Sequence, residues 1–362
     1  MSIADASAAI SAREIAGLFA SFPRSGRLIL AVSGGADSTA LMLLAQRWRG
    51  RRARGPELIA ATVDHGLRPG ARAEAKAVGA LARRLGLRHE ILPWRGAKPR
   101  TGRISCRKAR NRLLTQLAQR LGAHAIATAH TLDDQAETVL MRLAAGSGPA
   151  GLAGMRPYDV RHGMVLLRPL LGVRKARLLA TLTRAGIAWS EDPMNADPAF
   201  ARARLRAAGA VLAREGLTPE RMARLAERMA RYEEVVAASV EAARRRIADP
   251  HRPGWLDGRA LVALPEEVAL RLLAGEIAGV PNCVGEKPPR LHRLEALWSD
   301  LRDAIAAGHA TKRTLGEALV TVDRHQAVLI TSAPPRRAPA RKAGTASRER
   351  RNRAKHPFTK TR

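Results

Sequence analysis

Residues 27–44 read R-L-I-L-A-V-S-G-G-A-D-S-T-A-L-M-L-L, and this stretch decides the fold. The apolar residues from Leu28 to Val32 form the short continuous run that is typical of a strand buried on both faces of a parallel sheet. The S-G-G at residues 33–35 turns the chain, and the apolar residues from Leu41 onwards begin a helix. The stretch therefore predicts a strand, a tight turn and a helix N-terminus.

This predicted turn has the chemistry of an anion site. Glycines let the backbone approach a ligand closely, and the unpaired N–H groups and dipole of a helix start attract negative charge. A phosphate is the anion that this turn suits best. The carboxylate of Asp37, one turn into the helix, would repel a phosphate unless a magnesium ion lay between the two groups. S-G-G alone also fits an ordinary turn capped by Ser33 or Asp37. It is not a Walker loop, because no G-K-[ST] follows the glycines.

Strands and helices alternate after this stretch. The pattern predicts further buried strands at residues 58–63, 88–92 and 123–128, and a strand that runs into a helix between residues 166 and 182. Helical spacing covers residues 71–85 and 104–121, and another helix starts within residues 130–138. This order implies right-handed crossovers and a parallel, doubly wound α/β sheet covered on both sides.

Polar residues follow two of the predicted strands, at the sheet edge where ligands bind in open α/β folds. Asp64 follows the second strand, and H-T-L-D-D-Q-A-E-T at residues 130–138 follows the fourth. Helical spacing puts Asp133, Asp134 and Glu137 on one face. Acids in a first turn also serve as dipole partners and caps, but three of them beside His130 favour a metal or substrate-orienting role.

Charge and cysteine content narrow the function. The 362 residues carry 63 Lys and Arg against 32 Asp and Glu, a formal charge of +31, which indicates a polyanionic partner, although a general enrichment in arginine contributes. The two cysteines exclude a disulfide framework and a four-cysteine metal or cluster site. No run reaches the ~18 apolar residues of a membrane span, and no signal peptide is evident, so we expect a cytoplasmic protein without a membrane partner.

The sheet pattern stops near residue 209, which predicts three regions. Residues 1–208 form the nucleotide-type domain, and residues 209–332 form a mainly helical second domain with a hairpin at residues 312–330. Residues 333–362 lose apolar periodicity and are rich in arginine and lysine, so we expect a basic disordered tail drawn to RNA phosphates.

S-G-G-A-D-S at residues 33–38 resembles the pyrophosphate loop (PP-loop) of the N-type ATP pyrophosphatases, which have an adenine nucleotide alpha hydrolase-like fold. The order of seven motifs between residues 25 and 210 resembles the tRNA(Ile)-lysidine synthetase family. Those motifs are S-G-G-A-D-S (33–38), V-D-H-G-L-R (63–68), C-R-K-A-R-N (106–111), H-T-L-D-D-Q-A-E-T (130–138), G-S-G-P-A-G-L-A-G-M (146–155), R-P-L-L (168–171) and E-D-P-M-N-A-D (191–197).

The resemblance implies an enzyme that uses ATP and Mg2+ to adenylate the wobble cytidine of the CAU anticodon of a minor tRNA(Ile). The ε-amino group of free L-lysine then displaces AMP, forms lysidine and switches the tRNA from methionine to isoleucine. It implies ATP binding by Ser33, Gly34, Gly35, Ala36, Asp37, Ser38 and Asp64, with Asp37 on the metal through the phosphates. It implies catalytic roles for Asp37, Asp134, Asp133, Arg107, Arg110 and Arg206. It also implies that residues 209–332 form a tRNA-handling domain. The oligomeric state stays open, with a homodimer as one option.

The chain departs from the family pattern at three positions, where it has Asn111, Met194 and Ala203. An aromatic residue and an asparagine of the family are thereby missing. Rival functions are a tRNA cytidine thiolase, which needs cysteines that this chain lacks, a small-molecule synthetase with the same ATP chemistry, and a non-catalytic RNA-binding module in which Asp37 is expendable.

Overall fold

The computed structural model describes residues 7–66, 70–95, 103–161, 163–191, 197–283 and 289–334. The end of V-D-H-G-L-R, residues 192–196 of E-D-P-M-N-A-D and the predicted tail from residue 335 lie outside the described residues. The chain divides into two compact units, Met1–Glu234 and Val235–Arg362. No helix within the described ranges is long and apolar enough to cross a membrane.

A six-stranded sheet forms the centre of the first unit. Its strands are β1 (Arg27–Ala31), β2 (Glu57–Asp64), β3 (Arg88–Pro93), β4 (Ala123–Ala127), β5 (Tyr158–Arg161) and β6 (Met164–Leu167). They lie in the order β3-β2-β1-β4-β6-β5, and every neighbouring pair is parallel except β5 with β6. The order reverses direction between β1 and β4, which is where an open α/β sheet opens a ligand crevice.

Ten helices begin in this unit within the described residues. They are α1 (Ala12–Leu18), α2 (Ala36–Gly50), α3 (Ala71–Arg84), α4 (Arg103–Arg120), α5 (Leu132–Ala144), α6 (Pro149–Leu152), α7 (Lys175–Arg184), α8 (Ala201–Ala207), α9 (Gly209–Arg214) and α10 (Pro219–Ile247). Alternate strand residues point to opposite faces. Leu28 and Leu30 pack into the core shared with α2 and α7, and Ile29 packs into the core shared with α4. Both faces are therefore covered, and the predicted fold class is confirmed.

Edge strand β5 was not predicted. It is four residues long, runs antiparallel to β6, and leaves Tyr158 and Val160 largely exposed. Such a short segment carries too little periodicity to be recognised in sequence, because only its pairing with β6 makes it a strand.

The glycine-rich segment at residues 146–155 contains the short helix α6, whereas the sequence predicted a flexible loop or moving lid. Arg142 on α5 donates to the carbonyls of Gly151 and Gly154, at 2.6 and 2.9 Å. The buried side chain of Gln135 donates to the carbonyl of Met155 at 2.9 Å and accepts from its N–H at 2.8 Å. These four hydrogen bonds hold the segment against α5, and residues 149–152 of the predicted loop are helical.

The second unit combines helices with a four-stranded antiparallel sheet. The sheet has the order β7 (Trp255–Asp257), β10 (Ala327–Ser332), β9 (Ala318–Val322) and β8 (Thr311–Leu315). Helices α11 (Gly258–Val262), α12 (Glu266–Gly279) and α13 (Leu291–Ala306) share its apolar core, which includes Leu273, Leu301 and Val320. The sequence predicted a hairpin over residues 312–330, where the structure has the three strands β8, β9 and β10, and it missed β7, which is three residues long.

The division at Glu234 differs from the boundary that the sequence suggested at residue 208. Met222 and Ala226 on α10 pack with Ala136 and Val139 of α5, so the first turns of this helix belong to the first unit. Ile247, at the end of the same helix, packs in the core of the second unit. A boundary inside a continuous amphipathic helix leaves no composition change for sequence reasoning to detect.

Candidate functional site

The turn after β1 is held in one shape by short-range hydrogen bonds. Gly34 has φ +90°, a conformation that favours glycine, and a Cβ there would lie 3.2 Å from Val78 Cγ2. The hydroxyl of Ser38 accepts from the N–H of Ser33 at 3.1 Å and donates to the carbonyl of Gly35 at 3.0 Å. The carbonyl of Gly34 accepts from the N–H of Ser190 at 2.9 Å. The predicted loop is therefore a rigid turn tied to a segment more than 150 residues away.

Helix α2 begins without a side-chain cap. Gly35 occupies the N-cap position, and no side chain accepts from the first N–H groups of the helix. Ala36 and Ser38 are buried in its first turn and line the cleft in front of it. An uncapped helix start that opens into a cleft is a binding place for an anion.

Asp37 points into the same cleft. Its Oδ1 atom is buried and has no hydrogen-bond partner among the described residues, and its Oδ2 atom lies 3.9 Å from Lys175 Nζ. Burial raises the pKa of Asp37 to about 6, with Lys175 opposing the rise and Asp134 adding to it. Burial of a carboxylate with one unsatisfied oxygen is costly, which is typical of a group that meets a ligand.

The cleft at the carboxyl ends of β1 and β4 has a volume of about 780 Å³. One wall is the turn after β1, and the others come from β4, α4, α7, α8 and the segment around Trp189. Its lining residues are Ala31, Ser33, Gly35, Ala36, Asp37, Ser38, Arg110, Thr128, Ala129, His130, Lys175, Leu179, Trp189, Ser190, Glu191, Ala203, Arg206 and Ala207.

Arg110 contributes a buried positive charge to this cleft. Its Nε atom is buried without a hydrogen-bond partner in the described part of the chain. Burial lowers the pKa of Arg110, and the nearby charges of Arg107 and Arg202 lower it further. Arg107 lies one turn earlier on α4, is exposed, and does not line the cleft. A buried guanidinium surrounded by like charges needs an anion, and the cleft is where one can reach it.

His130 lies at the end of β4 in the floor of the cleft. Burial lowers the pKa of His130 to about 3, against the opposing effect of Asp134. Its Nδ1 atom is 2.9 Å from Thr128 Oγ1. The imidazole is therefore neutral at physiological pH and offers one donor and one acceptor.

The neighbouring carboxylates of Asp133 and Asp134 on α5 bind the starts of two different helices. Thr131 and Asp134 form a capping box, in which Asp134 Oδ2 accepts from the N–H of Thr131 at 3.0 Å. Asp133 Oδ2 instead accepts from the N–H of Lys175, the first residue of α7, at 2.7 Å, and its Oδ1 atom lies 3.2 Å from Arg174 Nε. Asp133 therefore caps a second helix and is already paired, whereas within the described residues Asp134 Oδ1 has Arg206 alone, 3.6 Å away.

Arg206 and Arg202 join α8 to this face. Arg206 donates from Nε to Glu137 Oε1 at 2.5 Å, and Arg202 Nε lies 3.8 Å from Glu137 Oε2. Burial raises the pKa of Glu137, while the hydrogen bond from Arg206 opposes the rise. Arg204 faces away and donates to the carbonyl of Pro198 at 2.9 Å. Alternate arginines of this helix therefore face different sides.

A second cavity of about 420 Å³ lies beside the first and shares Asp37, Lys175 and Arg206 with it. Its lining contains five acids, three bases and several apolar side chains. The acids are Asp37, Asp133, Asp134, Glu137 and Glu220, the bases are Arg174, Lys175 and Arg206, and the large apolar residues are Leu140, Leu205, Leu212 and Leu217. This composition suits a small cationic molecule with an aliphatic stem.

The structure brings most predicted site residues together, but not all. Asp64 lies at the end of β2, next to β1, and its Oδ1 atom accepts from the N–H of Gly66 at 2.9 Å; neither it nor Arg107 lines the two cavities. Ala203, a departure from the family pattern, lines the cleft with a methyl group. Sequence reasoning missed Lys175, Arg174 and Ser190, because no motif marked them.

The described residues offer limited support for a metal. Within the described ranges no group of three or more His, Cys, Asp or Glu residues is arranged to hold a metal ion. Asp37 does fit the Mg2+ of a bound nucleotide, because its buried, unpartnered oxygen is the hard ligand that this ion prefers, and phosphates and water usually supply the rest.

Known proteins with similar sequences cover most of this chain. A sequence model described as a PP-loop domain matches residues 8–211. The chain is 50% identical to the tRNA(Ile)-lysidine synthase of Bradyrhizobium sp. (strain BTAi1), over 91% of this chain and 96% of the relative. It is 54% identical to that of Methylobacterium nodulans, over 87% and 92% of the two chains.

Among solved structures, the U34-tRNA thiolase NcsA of Methanococcus maripaludis has a similar fold, with a TM-score of 0.50 and 18% identity over 60% of this chain and 77% of that chain. That likeness concerns the fold alone. The sequence relatives are much closer and span nearly their full lengths. The chain therefore belongs to the tRNA(Ile)-lysidine synthase family, enzymes built on an ATP-using PP-loop domain.

Proposed function

We propose that this enzyme ligates free L-lysine to the wobble cytidine of the CAU anticodon of a minor tRNA(Ile), in two steps that consume ATP. The observation that carries the proposal is the convergence of the uncapped helix start, Asp37 Oδ1 and Arg110 Nε on one cleft that adjoins an acidic cavity; within the described residues both atoms are buried without a hydrogen-bond partner. The relatives named for this activity support it.

The turn after β1 binds the pyrophosphate end of ATP. Gly34 and Gly35 bring the backbone close to the phosphates, and the first N–H groups of α2 donate to them. Asp37 would hold a magnesium ion on the same phosphates, and that ion would neutralise charge on the leaving pyrophosphate. Lys175, with Nζ 3.9 Å from Asp37 Oδ2, adds a positive charge at this end of the cleft.

Arg110 holds charge that develops at the α-phosphate. The O2 atom of cytidine attacks this phosphorus, the bond to the bridging oxygen breaks, and pyrophosphate leaves with the electron pair. Catalysis of such a displacement depends on positioning and charge neutralisation more than on a protein nucleophile. A buried guanidinium whose Nε atom has no hydrogen-bond partner among the described residues fits that requirement.

The acidic cavity receives lysine. In the second step the ε-amino nitrogen attacks C2 of the adenylated cytidine, a C–N bond forms, the C–O bond breaks, and AMP leaves. The attacking amine must lose a proton, and a nearby carboxylate can accept it. Asp134 is the better candidate than Asp133, because Asp133 is bound by Arg174 and by the N–H of Lys175. Arg206 joins Asp134 and Glu137 and positions both.

A thiolase function lacks the necessary ligands. The thiolase with a similar fold carries a 4Fe-4S cluster, and such clusters are held by several cysteine thiolates. This chain has only Cys106 and Cys283, which lie in different units. The other rival, a non-catalytic RNA-binding module, has no use for the buried Asp37 Oδ1, which lacks a hydrogen-bond partner among the described residues.

The direct test incubates the protein with ATP, Mg2+, labelled lysine and transcripts of isoleucine tRNA with a CAU anticodon. Label enters the tRNA if the proposal holds, and Asp37→Ala abolishes incorporation while tRNA binding is retained. Glu57→Ala is the matched control, because it removes an exposed carboxylate from the opposite edge of the same sheet. Absence of label with active control enzyme, or pyrophosphate release driven by a small acid without tRNA, refutes the proposal.

A second measurement distinguishes the role of Asp134 from that of Asp133. Asp134→Asn keeps an oxygen for the capping box but removes the charge, so KM for lysine should rise roughly 10- to 100-fold, the effect of losing a hydrogen bond to a charged group. Asp133→Asn should alter KM for lysine much less. Equal effects of the two substitutions would contradict the assignment.

A further inference from the structure

The second unit contains an open groove of about 660 Å³ that the proposed reaction does not use. The groove is formed by the chain after α10, by β7, by the start of α11 and by the β9–β10 turn. Its lining residues are Ile247, Asp249, Arg252, Trp255, Leu256, Asp257, Arg259, Arg324, His325, Gln326 and Ala327. The surface is thus unusually rich in arginine and includes an indole ring.

The two acids of the groove are occupied by local contacts. Asp249 accepts from the N–H of His251 at 2.9 Å and from Arg252 Nε at 2.6 Å. Asp257 caps α11 by accepting from the N–H of Ala260 at 3.1 Å. Arg324, in contrast, has its hydrogen bond with His325 Nε2, at 3.2 Å, and pairs with no carboxylate of the described chain. The groove therefore presents positive charge.

Trp255 provides a flat apolar face beside this charge. The guanidinium of Arg252 stacks on its ring, 4.7 Å from the centroid, and the side chain is only partly buried. Aromatic residues are only 3% of this chain, and most tryptophans pack inside. An accessible indole among arginines is the arrangement that stacks nucleobases and neutralises their phosphates.

The β9–β10 turn is held in a strained shape that displays Arg324 and His325. Gln326 is the one non-glycine residue with positive φ in the described ranges, at +65°. Its carbonyl accepts from the N–H of Gly258 at 3.1 Å, and a Cβ at position 258 would lie 2.1 Å from that oxygen. Its side chain accepts from Arg259 Nε at 2.5 Å. Backbone strain that the surroundings enforce is commonly found at binding sites.

We propose that this groove is an RNA-binding subsite in which a base of the tRNA stacks on Trp255 and adjacent phosphates contact Arg324 and Arg259. The inference rests on the proposed function, since it assumes a tRNA substrate. RNA fits better than an acidic peptide, because a nucleotide offers phosphates for the arginines and a planar base for the exposed part of the indole, whereas a carboxylate chain offers only charge. The chain's charge of +31 points the same way.

The test measures binding of a tRNA(Ile) transcript across a range of salt concentrations. Arg324→Gln should weaken binding and reduce the slope of log affinity against log salt by about one, the effect of one lost phosphate contact. Trp255→Leu should weaken binding about 5- to 100-fold with the slope unchanged, and Trp255→Phe should restore most of the affinity, since an aromatic face is kept. ATP affinity and the melting temperature should match the parent protein.

Arg302→Gln is the charge-matched control, because Arg302 is exposed on α13 outside the groove. If the groove variants bind tRNA as the control does, or if polyglutamate competes as well as an RNA oligonucleotide of equal charge, the subsite is refuted while lysine transfer to tRNA still stands. If the groove variants lose tRNA affinity but the parent protein transfers no lysine, the subsite is supported and the proposed reaction alone fails.

Discussion

Replacement of Asp37 by asparagine should stabilise the unliganded protein at neutral pH. The pKa of Asp37 rises from 3.8 to about 6 in the folded chain because the carboxyl is buried. The folded state therefore binds this proton more tightly than the unfolded state, so stability is fully present below about pH 4, falls as the pH rises to about 6, and then stays level. With about 1.4 kcal/mol for each pH unit, ionisation of Asp37 costs up to about 3 kcal/mol.

The assay is urea unfolding followed by circular dichroism at pH 4 and pH 7.5, without ATP or metal. Asp37→Asn should match the parent protein at pH 4 and exceed its unfolding free energy by about 1 to 3 kcal/mol at pH 7.5. Glu57→Gln removes a carboxylate whose ion pair with Arg27 is half exposed, so its effect should stay under about 1 kcal/mol at both pH values. A variant that gains the same stability at both pH values, or loses stability at pH 7.5, would refute the reasoning.

Three further substitutions test the site. Gly34→Ala should lower the free energy of unfolding by about 1 to 3 kcal/mol, because the φ of Gly34 is +90°. Gly35→Ala is the control and should lower it by less than about 1 kcal/mol, because the φ of Gly35 is −71°. Equal losses for the two variants in urea unfolding would contradict the strain assigned to Gly34. Arg110→Met should leave the melting temperature unchanged or higher, because it removes a buried charge that lies near Arg107 and Arg202. It should weaken ATP binding at least about tenfold in calorimetry, and full ATP affinity would count against its role. Gln135→Leu removes both hydrogen bonds to Met155, so amide hydrogen exchange of residues 146–155 should become at least about tenfold faster. Unchanged protection of these amides from exchange would mean that Arg142 alone holds the segment.

Sequence reasoning succeeded where a signal is local. The turn after β1, the alternation of strands and helices up to α5, and the family of the chain were all predicted and confirmed. These features depend on periodicity within one element or on a motif of six to ten residues. The same reasoning missed β5 and reduced a four-stranded sheet to a hairpin, because very short strands are defined by their neighbours.

The roles of the charged residues were harder to predict. Asp133 and Asp134 are adjacent in sequence, yet one caps α7 and pairs with Arg174 while the other closes the capping box of its own helix. Lys175 reaches Asp37 across 138 residues of chain, and no pattern near either residue announces the contact. Sequence position alone does not say which of several similar carboxylates is already satisfied.

The amino-acid sequence by itself determined the nucleotide-type sheet, the tight turn after β1 and the relationship to tRNA-modifying ligases, because these follow from apolar spacing and from motifs at fixed offsets. Only the tertiary structure decided which polar atoms lack partners, namely Asp37 Oδ1 and Arg110 Nε in the cleft, and where the arginines around Trp255 converge. The physical reason is that electrostatic and hydrogen-bond energies depend on distances of a few ångströms and on burial, and folding sets both between residues that are far apart in the chain.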